Sequence, residues 1–312
     1  MSKRSGFNKR RKDGTSGLRG GANNASTSFS SGEYYADGGG GGGSYFADSV
    51  PLAYWNFDQG SGQTVNDVSS AGNSLNGTKS TNGGPLNRPA WDTTNKVRGN
   101  SALLFDADQN DAVIVPDNNL LDFNVNDAFS ISCWIKRSGG TPSQVGGWVA
   151  KMANVAGNGD GAFEGYALYT FDTLQKQPAF LLYDNTGGAE LLRVKATSAT
   201  LINDTNFHNV VVTYNGNSDL SGVKIYLDGS SIALTQVDDS LETNDDILTS
   251  TDLAIGGFVN NPISDGQGNQ VQNFDGNMDE VAIWTKELSS AEVTAIYNSG
   301  SGVDLTNGIP DA

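Results

Sequence analysis

Few side chains in this sequence are suited to nucleophilic or acid–base catalysis. Its 312 residues include one histidine, His208, and one cysteine, Cys133. A Ser–His–Asp triad would therefore have to use His208. Because His208 begins the strand-like run FHNVVVTY, we predict a structural role for it. Cys133 lies in the apolar run ISCWI, which favours a buried, inert thiol.

Carboxylates are abundant, but their spacing does not indicate hydrolysis. Glycosidases need two carboxylates about 5–9 Å apart across a cleft. The nearest acidic pairs, Asp238-Asp239 and Asp245-Asp246, lie in loop-like sequence without flanking aromatic residues. We therefore expect no catalytic residues and no enzymatic activity. A glycoside hydrolase-like enzyme is the least favoured of the functions considered.

Charge is divided unevenly along the chain. The net charge is −16, yet residues 1–20 carry seven lysines and arginines against Asp13 alone, which leaves −22 for the remainder. This division predicts a basic arm with its own partner and an acidic body that repels nucleic acid. One cysteine and one histidine also exclude an intrachain disulfide and a Cys/His zinc cluster.

Residues 1–50 are typical of an anchor or linker. They are basic, then rich in serine, glycine and asparagine, with six consecutive glycines at 38–43. The sequence YYAD (34–37) recurs as YFAD (45–48) across the glycines, either by chance in a low-complexity segment or as two aromatic anchors that dock on a partner. The predicted partner-binding residues are Lys9, Arg10, Arg11, Lys12, Tyr34, Tyr35, Tyr45 and Phe46.

No segment is predicted to enter a membrane. The basic N-terminus is not followed by the roughly 7–15 apolar residues of a secretory signal peptide. No apolar run approaches the length of a membrane span. We therefore expect that the protein is made and kept in a cytosol, or that it leaves by a route that needs no signal, such as lysis.

From residue 51 the sequence predicts short strands. Runs of β-branched and aromatic residues alternate with Gly, Asn, Asp and Pro, which is typical of an antiparallel β-sandwich over residues 51–300. Asp228-Gly229 predicts a hairpin turn after the alternating run 223–227. One helix is expected last, with Ser289 and Glu292 as a capping box and Gly300 at its end, before a frayed tail over 301–312.

The order of these segments resembles that of laminin-G-like, concanavalin A-like jelly-roll domains. Each fragment alone is weak, but their order over about 250 residues predicts two antiparallel sheets packed face to face. The fragments are YWNFDQGSG (54–62), DVSSAGNSLNG (67–77), ALLFD with AVIVP (102–106 and 112–116), FSISCWIK (129–136), FHNVVVTY (207–214), IYLDG (225–229), and GNMDEVAIW with LSSAEV (276–284 and 288–293).

The resemblance implies a structural calcium ion at the rim of the sheets. Asp58, Asp67, Asn76 and Asp279 match the oxygen-bearing positions of the family, and calcium prefers six to eight oxygen ligands. The alternative is that these side chains make turns and caps. Gln59 stands where the family has an acidic residue, which removes one possible anionic ligand.

The fold hosts several functions, so the sequence leaves the ligand open. Trp91, Trp148, Tyr166 and Tyr169 are candidate carbohydrate platforms, and residues 155–165 and 260–274 are candidate rim loops. Our first hypothesis is a non-enzymatic bacteriophage virion protein, a capsid decoration or fibre-like appendage, that displays a glycan-binding head on an arm attached to a capsid or tail scaffold. The alternative is a bacterial secreted or surface carbohydrate-binding or adhesion module.

Overall fold

A computed structural model describes most of the chain beyond the basic arm. The described residues are 34–35, 44–81, 89–109, 111–140, 145–154, 163–172, 174–184, 190–199, 201–259, 263–264 and 270–311. The predicted contacts of Lys9, Arg10, Arg11 and Lys12 lie outside these residues.

Short strands dominate the described residues, as the turn-rich sequence predicts. One α-helix, α1 (Ser290–Tyr297), and four 3₁₀ helices (Ala107–Gln109, Asn119–Leu121, Leu220–Gly222 and Asn298–Gly300) accompany them. In chain order the strands are β1 (Tyr34–Tyr35), β2 (Tyr45–Phe46), β3 (Ala53–Trp55), β4 (Thr64–Val65), β5 (Gly77–Thr81), β6 (Ala90–Asp92), β7 (Ala102–Phe105), β8 (Asp111–Val115), β9 (Phe129–Arg137), β10 (Val145–Asn154), β11 (Phe163–Thr170), β12 (Pro178–Asp184), β13 (Glu190–Ala196), β14 (His208–Tyr214), β15 (Val223–Leu227), β16 (Ser230–Ser231), β17 (Leu234–Asp239), β18 (Leu253–Ile255), β19 (Ile263–Ser264), β20 (Gln270–Asn273) and β21 (Gly276–Trp284).

The strands form two large sheets. The long sheet has the order β17-β13-β12-β11-β10-β18-β8-β5-β4, and β20 pairs with β10 and β19 beside this path. The short sheet has the order β16-β15-β14-β9-β21-β7-β6, and β3 pairs with β21. The pairs are antiparallel except β10 with β20. The chain is therefore an all-β jelly-roll sandwich, as the sequence predicts.

Alternation along each strand places the main core between the sheets. In β11, Tyr166 and Leu168 face this core, whereas Ala167 and Tyr169 belong to a second apolar cluster on the other side of the long sheet. Because successive strand residues point to opposite faces, the second cluster marks the outer face of that sheet. A third cluster likewise lies on the outer face of the short sheet.

The predicted turn and helix are both present. Asp228 and Gly229 connect β15 to β16 with φ of 51° and 75°, the two positive values that a type I′ hairpin requires. Ser289 and Glu292 form the capping box. The helix ends earlier than predicted, because Asn298 adopts the left-handed conformation at the C-cap.

Residues 260–274 are not only a loop. They contain β19 and β20, and β20 runs parallel to the start of β10, with Val145 opposite Val271. Of the other predicted rim loop, residues 155–162 lie outside the described part, and β11 begins at Phe163.

The sandwich extends beyond both boundaries that composition suggests. Phe46 N–H donates to the Ile309 carbonyl at 3.0 Å, and the Trp284 indole N–H donates to the Ser49 carbonyl at 2.8 Å. Leu305 and Ile309 are buried, so residues 301–311 are a packed segment and the expected frayed tail is wrong. The boundary at residue 50 is also misplaced, since residues 44–50 form part of the folded unit. Composition missed this because the segment owes its order to long-range contacts.

Candidate functional site

The two outer faces of the sandwich differ in what lies on them. On the short sheet, α1 and the terminal segments pack against outward-facing strand residues, and Phe46 packs against the edge of this terminal cluster. Within the described residues the buried members of the terminal cluster are Tyr54, Val211, Tyr226, Ala282, Trp284, Leu288, Val293, Ile296, Leu305 and Ile309. This face is covered by the chain itself.

The predicted aromatic anchors lie at this covered face. β1 pairs antiparallel with β2, with Tyr34 opposite Phe46 and Tyr35 opposite Tyr45, so the two copies of the repeat form one small sheet. On its other edge Tyr45 bridges to Pro310. Docking on a partner stays a prediction, but Phe46 already has a packing role within the domain.

On the long sheet, a half-buried strip runs along β13 and its neighbours. Tyr183 lies opposite Leu191, and Arg193 lies opposite Asp238. The strip consists of Tyr183, Leu191, Arg193, Lys195 and Val237, and we call it the outer strip. It mixes an aromatic ring, aliphatic groups and cations on a partly exposed surface, which is a composition that suits ligand contact.

Two cations of the outer strip approach the Phe171 ring. The Lys195 ammonium lies 3.8 Å from the ring centroid, and the Arg193 guanidinium carbon lies 5.9 Å from it. Arg193 Nε also donates to the Asp238 carboxylate at 2.7 Å. The sequence shows this strip only as the alternation in Leu192-Arg193-Val194-Lys195, where the aliphatic residues face the core and the cations face outward.

The predicted carbohydrate platforms are mostly engaged elsewhere. Trp148 and Tyr166 are core residues between the sheets, which excludes them as surface platforms. Tyr169 does face outward but is 2% exposed. Trp91 is half-buried against the core, and the Lys79 ammonium lies 4.8 Å from its ring centroid. A strand pattern identifies aromatic residues without showing which of them stay accessible.

An acidic cluster lies at the other end of β13. Asp184 and Glu190 are opposite each other where β12 ends and β13 begins, and the ligand atoms of Asp184, Glu190 and Asp245 lie within 4.8 Å of one another. The Asp245 carboxylate, within hydrogen-bond reach, raises the pKa of Glu190 above its ordinary value. The sequence identifies Asp245 within an acidic pair, but only the sheet register brings Asp184 and Glu190 beside it.

The hydrogen bonds of the predicted calcium ligands separate them into two sets. Asp67 accepts backbone N–H bonds from Tyr54, Ser69 and Leu75, each at 3.0 Å. Asn76 Oδ1 accepts the Asp67 N–H at 2.8 Å. These side chains hold the turn after β4, which is the alternative role that the sequence left open.

The second set surrounds a bulge in β21. Asp279 accepts the Val97 N–H at 2.8 Å, and Asp58 accepts the Asn100 N–H. Burial raises the pKa of Asp279 to about 7, and the neighbouring Asp58 carboxylate adds to that effect. The two are thus close enough to interact, and among the described residues they share no hydrogen-bond partner with Asp67 or Asn76. Calcium binding at the four residues stays a prediction.

The bulge also buries a second carboxylate. Glu280 has a φ of 51° and is 1% exposed. Its carboxylate accepts a hydrogen bond from the Tyr54 hydroxyl and lies 3.5 Å from Arg98 Nη1. Burial and the adjacent Asp279 raise the pKa of Glu280 well above its ordinary value. This geometry holds the junction where β21 changes partner from β7 to β3.

The lone histidine and cysteine have structural surroundings. His208 Nδ1 lies 2.7 Å from Asp228 and Nε2 lies 2.8 Å from Asp204, so both ring nitrogens face carboxylates. These hydrogen bonds, against the effect of burial, raise the pKa of His208 to about 9. Cys133 is fully buried in the main core, and burial raises the pKa of its thiol. A protonated imidazole at neutral pH is a poor general base.

Comparison with known families identifies the type of domain. A laminin G family model, described as the concanavalin A-like lectin/glucanases superfamily, matches residues 107–294. This confirms the resemblance drawn from the ordered motifs. No curated protein matches the sequence, and none of the described helices is long and apolar enough to span a membrane.

Several solved structures are similar to this chain. The binding domain of Paraclostridial Mosquitocidal Protein 1 aligns with a TM-score of 0.53 and 15% identity, over 80% of this chain and 52% of that one. The botulinum neurotoxin serotype G binding domain aligns with a TM-score of 0.50 and 12% identity, over 79% and 50%. Domain 4 of a GH43 extracellular arabinanase from Geobacillus stearothermophilus, in complex with arabinotriose, aligns with a TM-score of 0.47 and 17% identity, over 79% and 98%. This chain spans about half the length of the first two domains, and the likeness to them shows the fold.

Proposed function

The chain belongs to the concanavalin A-like lectin/glucanases superfamily, and we propose that it is a non-catalytic domain that binds glycans through the outer strip. The observation that supports this role is the contrast between the two outer faces. The face of the short sheet is covered by α1 and the terminal segments, whereas the outer strip of the long sheet is half-exposed.

The chemistry of the outer strip suits a saccharide. Sugars present apolar C–H faces and polar hydroxyl edges, and the strip offers both kinds of partner. Tyr183 and Leu191 provide apolar contact, and the paired charges of Arg193 and Asp238 can donate to and accept from hydroxyl groups. The Asp238 side chain is 35% exposed, so it remains partly accessible to a ligand.

Binding to a saccharide array, followed by calorimetry, tests this function. We expect Leu191→Ala to weaken binding of any saccharide that the parent chain binds by about tenfold, which corresponds to about 1.4 kcal/mol. Leu104→Ala is the matched control, since Leu104 is 41% exposed on the short sheet. Equal effects of the two variants, or no saccharide binding by the parent, would reject the outer strip as a glycan site.

For the arm, we propose attachment to a scaffold, with the sandwich displayed outward on a bacteriophage virion. The support is the basic charge of residues 1–20, the glycine run at 38–43, and the position of β2 at the covered face, on the opposite side of the core from the outer strip. Attachment through the covered face would leave the outer strip accessible on the particle surface. A bacterial secreted or surface adhesion module is the alternative.

Mass spectrometry of purified virions tests this placement directly. We expect the protein in virions and expect it to be absent after removal of residues 1–33, while the shortened protein still accumulates in the host cell. Arg10→Gln, Arg11→Gln and Lys12→Gln together should alter the salt sensitivity of attachment, and Tyr34→Ser with Tyr35→Ser should release the sandwich. Retention of the protein lacking residues 1–33 on the particle would show that the arm is not the anchor.

We further propose that the chain binds a calcium ion that has a structural role. The residues that the family implies are Asp58, Asp67, Asn76 and Asp279, and the acidic cluster is a second group of carboxylates with the oxygen chemistry that calcium prefers.

A further inference from the structure

The outer strip is cationic toward the C-terminal half of β13. Arg193 lies at the middle of β13 and Lys195 near its end, whereas Glu190 begins the strand beside Asp184 with the opposite, inward parity. Successive outward residues of a strand are about 7 Å apart, so the two ends are separated by more than the length of one ion pair. An anionic group on a ligand at the outer strip would be attracted to this cationic part.

Lys195 is a cation for which the described part of the chain provides no acidic partner. Within the described residues, no carboxylate lies within ion-pair distance of its ammonium, which instead lies against the Phe171 ring. Lys151, Lys224 and Lys286 by contrast each form an ion pair. The ring holds the half-buried Lys195 side chain in place and leaves ammonium hydrogens able to donate to a ligand.

We infer that Lys195 binds the carboxylate of an acidic saccharide whose neutral part lies along the outer strip toward Leu191 and Tyr183. This inference rests on the proposed glycan-binding function and adds the chemical class of the glycan. A charge-assisted hydrogen bond to a single carboxylate is strong enough to select an acidic sugar over its neutral counterpart. A polyanion is disfavoured because the body outside the first 20 residues carries a net charge of −22.

An array of carboxylated saccharides, each printed beside its own methyl ester, measures how much the negative charge of the saccharide contributes to binding. We expect the parent chain to bind the acid at least tenfold more tightly than the ester. Lys195→Gln should abolish that difference without changing affinity for the ester, and Lys195→Arg should retain most of it. The control is Lys224→Gln, which removes one charge from an exposed site on the short sheet and should leave the preference unchanged.

The possible results distinguish a failure of the Lys195 inference from a failure of the proposed glycan binding. Binding of saccharides with no preference for the acid, or a preference that survives Lys195→Gln, overturns the inference while glycan binding stands. A preference for sulfated saccharides over all carboxylated ones also overturns it. Binding of no saccharide by the parent chain overturns both. Unfolding curves of each variant establish that lost binding does not come from lost folding.

Discussion

The two outer faces of this sandwich are built from the same strand alternation, yet they differ in what covers them. The face of the short sheet carries Trp284 and Tyr226 under α1, Leu305 and Ile309. The outer strip carries side chains of similar apolar character, such as Tyr183 and Leu191, that remain half-exposed. An outward apolar residue is therefore part of a core only where another segment returns to cover it.

Charge follows the same division. On the short sheet His208 lies between two carboxylates, and Lys224 pairs with Glu287. At the outer strip Arg193 pairs with Asp238, but Lys195 has no acidic partner within the described residues. Paired charges stabilise the fold, whereas unpaired ones remain available to a ligand. Substitutions at the covered face should thus mainly lower the free energy of unfolding, and substitutions in the outer strip should mainly weaken ligand binding.

The largest expected effect comes from removing the covering segment. A chain that starts at residue 51 loses Phe46 and Ser49, and the buried Trp284 indole N–H loses its acceptor. We expect a loss of at least about 3 kcal/mol in the free energy of unfolding, from lost packing and an unsatisfied donor. A chain that starts at residue 44 should unfold within about 1 kcal/mol of the full chain in urea. Equal stability of the two shortened chains would contradict this.

Matched apolar substitutions compare the faces directly. Ile309→Ala, at a fully buried position, should lower the free energy of unfolding by about 2–5 kcal/mol, because it leaves a cavity against the short sheet. Leu191→Ala, in the outer strip, should cost less than about 1 kcal/mol, since its side chain is already partly solvated. Denaturant unfolding of both variants measures the difference. A larger cost for Leu191→Ala would show that the strip belongs to the core.

Calcium distinguishes the two groups of acidic residues. If calcium binds, a concentration of 100 times its dissociation constant should stabilise the chain by about 2.7 kcal/mol. The melting temperature of the parent chain should then be higher with calcium than with chelator. If the ion lies at the β21 bulge, Asp58→Asn or Asp279→Ala should remove this difference. Loss of the shift in Glu190→Gln alone would assign it to the acidic cluster, and no shift in the parent chain would reject both.

The smallest expected effect concerns the paired histidine. Because folding raises the pKa of His208 from 6.5 to about 9, its stabilisation is complete below pH 6.5 and is lost as the pH rises through about 9. At pH 6, His208→Gln should lower the free energy of unfolding by on the order of 1–3 kcal/mol. The difference from the parent chain should be smaller at pH 10. Lys195→Gln should change the free energy of unfolding by less than about 0.5 kcal/mol relative to the parent chain at both pH values. A pH-independent effect of His208→Gln would indicate lost packing instead.

Local patterns are sufficient for much of this fold. The capping box at Ser289, the Asp228-Gly229 turn and the alternation in β15 each follow from a few adjacent residues, so the sequence predicts them without knowledge of the rest of the chain. Cys133 is predicted to be buried for the same reason, since it lies within an apolar strand. The order of such segments was enough to identify the sandwich and its family.

Other features depend on contacts between distant residues, and only the tertiary structure decided them. Residues 301–311 look like a tail by composition, but they are ordered by burial against β21 and by hydrogen bonds to residues 44–49. The acidic cluster joins residues more than 50 positions apart through sheet register, and Lys195 meets Phe171 only because β13 pairs with β12. A sequence specifies which side chains leave a strand on each face, whereas the three-dimensional fold determines which of them another segment covers.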